Sequence, residues 1–299
     1  MSLVSFVKVK SNAADSMRQA IFDSLEAINY SFRKEVKNVV IKPNLCYYWD
    51  YSTGQTTDPK FIAALIDTIR EKTSASNISI VESDASAMKC KHVFRMFGYD
   101  KLAEDHAVKL VNLSEDKCEA AHVTVQGHAF NLMMPRTIRD ADLKINVPKI
   151  KYTMEKIKIT CALKNIFGCN PYPKKFHYHP RLGEVIVAVN KAMRFNLCII
   201  DGNIVSGIQP RRLGLVMAST DPVAIDAAAA KIAGVNPRSM KYLKLAQKEG
   251  LGTTRYTSTG ISPAYFNQRY PRKNATKKVM AKAYSLVTRL QLGKRIGLE

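Results

Sequence analysis

The sequence predicts an α/β fold in which helices cover both faces of a mainly parallel sheet. Short apolar runs rich in β-branched residues alternate along the chain with longer segments of helical spacing, which is the pattern of βαβ units. The chain has 299 residues, of which 46% are hydrophobic and 24% charged. This composition is typical of a packed globular protein and argues against a disordered one.

In the first half of the chain, each predicted strand is a short apolar run and each predicted helix has an apolar face. The clearest helix start is at Pro59, because proline suits the first turn and Thr57-Asp58 are cap candidates before it. In chain order the predicted elements are a strand over 3–9, a helix over 12–33, a strand over 39–41, a helix over 59–71 and strands over 78–81 and 108–113.

The second half continues the same alternation after a small β-hairpin insertion centred on Gly127. Gly168 and Gly234 are the expected stops of two helices, since glycine commonly ends a helix. In chain order the predictions are hairpin strands over 123–125 and 129–133, a strand over 142–147, helices over 157–166 and 183–193, strands over 197–200 and 214–218, and a helix over 222–233.

The chain is strongly basic, and its C-terminal part most of all. Lys and Arg number 46 and Asp and Glu 25, so the formal net charge is 46 − 25 = +21. We divide the chain into an α/β domain over 1–255, which is compatible with two lobes, and a basic extension over 256–299. A basic amphipathic helix is predicted over 275–292. It either docks by its apolar stripe or serves as an arm for nucleic acid or a membrane surface.

Composition also limits the compartment and the cofactors. No apolar run approaches the ~18–20 residues of a membrane span, and the N-terminus has no secretory pattern. The six cysteines are scattered without a Cys-x2-Cys pair, which favours reduced thiols in a cytoplasmic protein and argues against an iron–sulfur cluster.

Polar clusters follow four of the predicted strands, at the end where ligands bind in open α/β sheets. If the strands are parallel neighbours, these clusters share one edge of the sheet and offer cationic and amide donors beside carboxylates. The candidates for binding an anionic substrate are Lys42, Asn44, Asn146, Lys149, Lys151 and Asn165. The candidates for catalysis are Glu82, Asp84, Asp201 and Lys164.

Metal ligands are less well defined by the sequence. His177 and His179 can lie on one face of an extended segment, and Asp221 and Asp226 lie at the start of a predicted helix, where a helix cap is the alternative for Asp221. Mg²⁺ or another divalent cation is the candidate cofactor. The sequence has no GxGxxG, P-loop or Gly-x-Ser-x-Gly motif, which disfavours dinucleotide binding, P-loop chemistry and serine hydrolysis.

Three motifs stand in a specific order along the chain: Lys42-Pro43-Asn44, Leu163-Lys164-Asn165-x-x-Gly168 and Ser219-x-Asp221-Pro222-Val223-Ala224-x-Asp226. Together with shorter matches, they resemble the domain of unknown function 362 family over about residues 39–252. Many members of that family carry a ferredoxin-like cluster segment, whose cysteines this chain lacks. Relatives often have Lys-x-His where this chain has Lys151-Tyr152-Thr153, so a role of that histidine would either be lost here or pass to His177 or His179.

Three hypotheses of function follow. The first is a cytoplasmic enzyme that acts on an anionic small molecule, a carboxylate or a phosphate, by proton transfer, isomerisation or group transfer. The second is a nucleic-acid-binding protein that uses the basic surface and the tail. The third is a non-catalytic scaffold or redox-partner subunit. The sequence leaves the substrate, the reaction class and the oligomeric state open.

Overall fold

A computed structural model of the chain describes residues 1–11, 13–153, 157–207 and 209–272. It confirms the predicted α/β fold. Twelve strands are present in the described residues: β1 Ser2–Lys8, β2 Asn38–Pro43, β3 Asn77–Glu82, β4 Lys109–Asn112, β5 Cys118–Val125, β6 His128–Pro135, β7 Leu143–Val147, β8 Lys151–Tyr152, β9 Ile159–Thr160, β10 Leu197–Val205, β11 Arg211–Ser219 and β12 Tyr256–Gly260. The α-helices of the same residues are α1 Ala14–Glu26, α2 Pro59–Lys72, α3 Cys90–Met96, α4 Tyr99–Asp105, α5 Arg136–Arg139, α6 Ala162–Phe167, α7 Leu182–Ala192, α8 Pro222–Ile232, α9 Lys241–Lys248 and α10 Pro263–Arg269.

Eight of the strands form one sheet in the order β12-β1-β11-β10-β7-β2-β3-β4. All of these strands run in the same direction except β11, which is antiparallel to both of its neighbours. The carboxyl ends of β7, β2 and β3 therefore lie side by side at one edge. The small insertion is the hairpin of β5 and β6, whose turn residues Gln126 and Gly127 both have positive φ, as a tight two-residue hairpin turn requires.

The sheet separates two hydrophobic cores. Ile41 of β2 packs in the core that includes α1 and α2, whereas its neighbour Val40 packs in the core that includes α6, α7 and α8. Successive side chains of a strand point to opposite faces, so a strand with apolar residues at consecutive positions has to be covered on both sides. Burial of both faces of the sheet explains why the strands are runs of β-branched residues in the sequence.

Several predicted boundaries are wrong for identifiable reasons. The helix predicted over 12–33 ends at Glu26, and Asn29 adopts a left-handed conformation with φ of 53°. Residues 157–160 of the helix predicted over 157–166 are not helical, because Ile159–Thr160 pairs with Lys151–Tyr152 as a strand. The strand predicted over 197–200 continues to Val205, because β11 pairs with it over most of its length.

The start of the predicted basic extension contributes to the sheet. Strand β12 pairs in parallel with β1, and Phe266 of α10 is fully buried. The division of the chain at residue 255 stays a prediction, and the helix predicted over 275–292 lies outside the described residues. Within the described residues, no helix has the length and apolarity needed to cross a membrane.

Asp221 joins three parts of the fold. One carboxylate oxygen accepts from the backbone amides of Val223 and Ala224, which caps α8, as one of the sequence alternatives proposed. The other oxygen accepts from the Ser2 hydroxyl at 2.6 Å and from the backbone amide of Thr253 at 2.9 Å. The carboxylate thereby connects α8 to β1 and to the segment before β12.

We expect Asp221→Ala to lower the free energy of unfolding by about 2 kcal/mol or more, because it leaves partly buried donors without an acceptor. Urea denaturation followed by circular dichroism measures this change. Asp105→Ala is the control, since it removes only an exposed ion pair with Lys101 and should change stability by less than about 0.5 kcal/mol. Equal effects of the two substitutions would contradict the assigned role of Asp221.

Candidate functional site

A cavity of about 320 Å³ opens beside the carboxyl ends of β2 and β3 and is bordered by α6. Its wall includes seven of the candidate site residues that were predicted from the sequence: Lys42, Asn44, Glu82, Lys151, Lys164, Asn165 and His179. Its volume is at the lower end of the range for small-molecule sites. Residues from four separate segments of the chain thus meet around one space.

A buried ion pair forms the floor of the cavity. The Lys42 Nζ lies 2.7 Å from a carboxylate oxygen of Glu82, and both side chains are almost completely buried. The same ammonium donates to the backbone carbonyl of Pro43, while Glu82 accepts from the backbone amide of Ser83. These contacts compensate for the loss of hydration of both charges, which an unpaired buried ion would not tolerate.

Two asparagines hold α6 on the ends of the strands. Asn146 is the register partner of Lys42 in the sheet, and its amide donates to the Ala162 carbonyl at 3.0 Å. The Asn165 amide donates to the Asn146 side-chain oxygen at 2.8 Å and to the Lys42 carbonyl at 3.2 Å. Asn146 lies outside the cavity wall and positions the helix that carries Lys164.

Asp226 determines where α6 begins. Its two carboxylate oxygens accept from the backbone amides of Ala162 at 2.6 Å and Leu163 at 3.3 Å, so a side chain 64 residues away caps the helix. Burial raises the pKa of Asp226 to about 7. This contact explains why the helix starts at Ala162 rather than at the predicted residue 157.

The cavity wall is rich in ammonium groups. Lys151, Lys164 and Lys175 line it together with Lys42, while Glu82 is the one carboxylate among the described residues of the wall. Lys175 was not predicted as a site residue, because it lies in a segment after Gly168 for which the sequence predicts no strand or helix. Its pair with Lys174 was the available signal.

Lys164 and Lys175 differ in their contacts. Burial lowers the pKa of Lys175 to about 8, and its Nζ donates to the Ser83 hydroxyl and to the Asp84 carbonyl, both at 2.6 Å. Burial and, after it, the positive charges of Lys151 and Lys175 lower the pKa of Lys164 to about 8. Among the described residues no acceptor is within reach of the Lys164 ammonium, whose contact is with the ring of Phe167.

Lys149 and Asp201 form a second buried ion pair, which does not line the cavity. Their charged atoms lie 2.9 Å apart and both side chains are essentially inaccessible. Asp201 also accepts from the backbone amides of Asp58 and Asn203, and Lys149 donates to a backbone carbonyl. Burial, followed by the charge of Asp201, raises the pKa of Asp58 to about 6. The pair joins β10 to the segment after β7.

Of the three candidates Asp84, His177 and His179, only His179 lines the cavity, and all three contact other protein groups. The Asp84 carboxylate accepts from the Lys89 ammonium and from the backbone amide of Cys90, which fixes the start of α3. His177 contacts the Lys174 carbonyl, and the ring of His179 stacks on that of Phe176 at 4.2 Å between centroids. No group of three His, Cys, Asp or Glu side chains within the described ranges could share a metal ion.

Comparisons with known proteins agree with the motif pattern of the sequence. The family model described as "Domain of unknown function (DUF362)" matches residues 39–231. The thylakoid-associated protein sll1697 of Synechocystis sp. is 26% identical over 267 residues, which cover 84% of this chain and 80% of that protein.

One solved structure shows a distant likeness. It is the lactate racemase apoprotein from Thermoanaerobacterium thermosaccharolyticum, at 13% sequence identity and a TM-score of 0.46. The match covers 79% of this chain and 58% of that one, so this chain spans less than two thirds of the length of that protein.

We expect Asp201→Ala to lower the free energy of unfolding by about 3–5 kcal/mol, because the Lys149 charge would remain buried without its partner. The double variant Lys149→Met/Asp201→Leu should recover part of this loss, since it removes both charges but leaves the backbone amides of Asp58 and Asn203 without their acceptor. Urea denaturation of the three proteins tests this. A cost below about 1 kcal/mol for Asp201→Ala would show that the pair is not buried in solution.

We expect Lys164→Met to raise the free energy of unfolding at pH 7 by about 1 kcal/mol or more. The folded pKa of about 8 lies below the ordinary lysine value, so the cost of the buried charge is fully present below pH 8. Between pH 8 and 10.5 the unfolded chain binds more protons than the folded one, so the wild type should regain this stability. The difference in free energy of unfolding between Lys164→Met and the wild type should therefore narrow over this pH range, which denaturation at each pH measures. Lys174→Met, at an exposed position, is the control and should show no gain in stability.

Proposed function

The chain belongs to the DUF362 family, and we propose that it is an enzyme that acts on an anionic small molecule, a carboxylate or a phosphate, bound in the cavity beside α6. The observation that carries this proposal is the excess of ammonium groups on the cavity wall, of which Lys164 has no protein acceptor within the described residues. An anion entering the cavity would supply that acceptor and compensate for the repulsion between neighbouring lysines.

In this proposal Lys151 and Lys164 bind the anionic group, with Lys175 beside them. Lys42 is already paired with Glu82, so it contributes positive charge at the floor of the cavity rather than a free hydrogen-bond donor. Asn44 and Asn165 supply polar atoms of the wall. Asn146 and Lys149, which the sequence analysis also proposed as binding residues, are assigned positioning roles because their contacts lie behind the wall.

Glu82 and Lys164 are the proposed proton-transfer groups, since both line the cavity. A pKa of about 8 places the Lys164 amine near the range in which a group both gives and takes protons at neutral pH. Asp84 and Asp201 lie outside the wall and are bound to scaffold donors. The reaction class, which includes proton transfer, isomerisation and group transfer, stays open.

A divalent cation is not part of this proposal. Hard cations such as Mg²⁺ prefer several carboxylate or carbonyl oxygens, whereas this wall presents ammonium groups and one carboxylate that is engaged with Lys42. The candidate ligands Asp221 and Asp226 are occupied by backbone amides. A cation would fit the cavity only as the counter-ion of a phosphate substrate.

Nucleic-acid binding and a non-catalytic scaffold are the two other hypotheses for this protein. Nucleic-acid binding was based on the net charge of +21 and on the basic tail, most of which lies outside the described residues, and a scaffold would have no need of an anion-binding cavity. The cytoplasmic location likewise stays a prediction.

We expect phosphate and 2-hydroxybutanoate, tested separately at constant ionic strength, to raise the melting temperature of the protein. A ligand at about 100 times its Kd stabilises the native state by about 2.7 kcal/mol, which corresponds to several degrees. Lys164→Met should weaken binding of the effective anion about tenfold, because it loses one charge-assisted contact. Thermal-shift titration measures both effects.

Lys174→Met is the matched control, because it removes an exposed lysine of the same region and should leave the titration unchanged. A response to chloride of equal size, or an equal loss in the two variants, would indicate general screening of the positive surface. No stabilisation by either anion would contradict the proposal and favour the scaffold.

A further inference from the structure

The lysine amines at the cavity are not equivalent. The Lys42 Nζ is bound to Glu82 and to a backbone carbonyl, and the Lys175 Nζ is bound to the Ser83 hydroxyl and to another backbone carbonyl. Lys164 makes no such contact with any described residue, and its Nζ lies 4.6 Å from the centre of the Phe167 ring. Lys151 likewise has no side-chain hydrogen bond or ion pair within the described residues, so Lys151 and Lys164 have the two amines least committed to the scaffold. Of these two, Lys164 is the one that lies on α6.

The surroundings of Lys164 also favour the neutral amine, which is the form that acts as a nucleophile. Burial and the charges of Lys151 and Lys175 lower its pKa to about 8. At pH 7.4 about one fifth of the amine is then neutral, against about 0.1% for an ordinary lysine. Desolvation and a neighbouring cationic group are the two features that activate lysine nucleophiles in enzymes.

The position of Lys164 is well defined. Asp226 fixes the first turn of α6, and Asn165, the next residue along the helix, is bound to Asn146 and to the end of β2. A nucleophile carried by a rigid element loses less freedom when it meets its target than one carried by a loop. The side chain therefore projects from a fixed base along the cavity wall.

We propose that Lys164 forms an imine with an aldehyde or ketone carbonyl of the substrate, whose carboxylate or phosphate lies against the ammonium groups of Lys151 and Lys175. This inference rests on the proposed function and narrows its substrate class to anionic carbonyl compounds. The anionic group and the carbonyl carbon need different partners, and the wall supplies cations for the first and a free amine for the second.

The step is balanced without a further reactant. The nitrogen lone pair of Lys164 attacks the carbonyl carbon, the C–N bond forms, and the carbonyl π electrons move to oxygen. A proton passes from nitrogen to that oxygen to give the carbinolamine. The oxygen then takes the second proton of the nitrogen, the C–O bond breaks to release water, and the nitrogen lone pair forms the C=N bond. Neither carbon nor nitrogen changes its oxidation level overall, so no oxidant or reductant is required.

The experiment is reductive trapping with sodium cyanoborohydride in the presence of 2-oxobutanoate or dihydroxyacetone phosphate, followed by peptide mass spectrometry of the full chain. The two probes carry the carbonyl beside a carboxylate or on a phosphate ester, so they distinguish the two kinds of anion. We expect at least one probe to modify Lys164 more than tenfold faster than exposed Lys174, which serves as the internal reference in the same digest.

Further arms exclude non-specific chemistry. The non-carbonyl analogue 2-hydroxybutanoate should protect Lys164 from trapping by 2-oxobutanoate, since it occupies the same space. Lys164→Arg, which keeps the positive charge, should abolish trapping at this position.

The outcomes separate the two proposals. Trapping no faster at Lys164 than at Lys174, with both probes, would overturn the imine inference. If 2-hydroxybutanoate or phosphate still stabilised the protein, the anion-binding function would stand without the imine. If no anion bound and no adduct formed at Lys164, both proposals would be wrong.

Discussion

The seating of α6 on the ends of the parallel strands is the constraint on which the rest of the site depends. This helix is only six residues long, too short to be stable by its own hydrogen bonds. Side chains from distant parts of the chain hold it instead: the Asp226 carboxylate binds its first two amides, and Asn165 and Asn146 join it to β2 and β7. Because Lys164 lies on this helix, the same polar contacts that stabilise α6 place an amine in the cavity.

Two buried ion pairs lie at the same end of the sheet and have different consequences. Lys149 and Asp201 are surrounded by protein on all sides and connect β10 to the segment after β7. Lys42 and Glu82 join β2 to β3 and also form part of the cavity wall. Buried charges are costly unless paired, so each pair constrains how its strand ends can be arranged. Only the second brings a carboxylate to a place where a ligand can reach it.

The lysines of the cavity wall that have no carboxylate partner are the basis of the proposed function, because they oppose stability. Lys151, Lys164 and Lys175 lie on one wall, where burial lowers the pKa of Lys164 and of Lys175, and the charges of Lys151 and Lys175 lower the pKa of Lys164 further. A protein selected for stability alone would replace such groups, whereas binding of an anion gives them a role. The apolar rings of Phe167 and Phe176 beside them add surface that a bare anion leaves uncovered, which suits a ligand with a carbon skeleton.

Patterning along the sequence was enough to predict the α/β class, the start of α2 at Pro59 and the strand that ends near Lys42. These features depend on local propensity and on burial of both faces of the sheet, and both leave a periodic record in the sequence. Of the site, Lys42, Glu82, Lys164 and Asn165 were predicted because they follow apolar strands or belong to a recognisable motif. The helices α3, α4 and α9 were missed because they are short and the residue that precedes each of them provides no side-chain cap.

Only the tertiary structure decided which polar residues share a cavity and which serve the scaffold. Asp201 was predicted to follow the end of a strand. In the structure, pairing with β11 extends that strand past Asp201, and its buried carboxylate forms an ion pair with Lys149. Lys175 looked like an ordinary loop residue, but the chain folds it over Ser83. The physical reason is the same in both cases. Hydrogen bonds and charges act between residues that are close in space, whereas the periodicity of a sequence records only which side of its own segment each residue lies on.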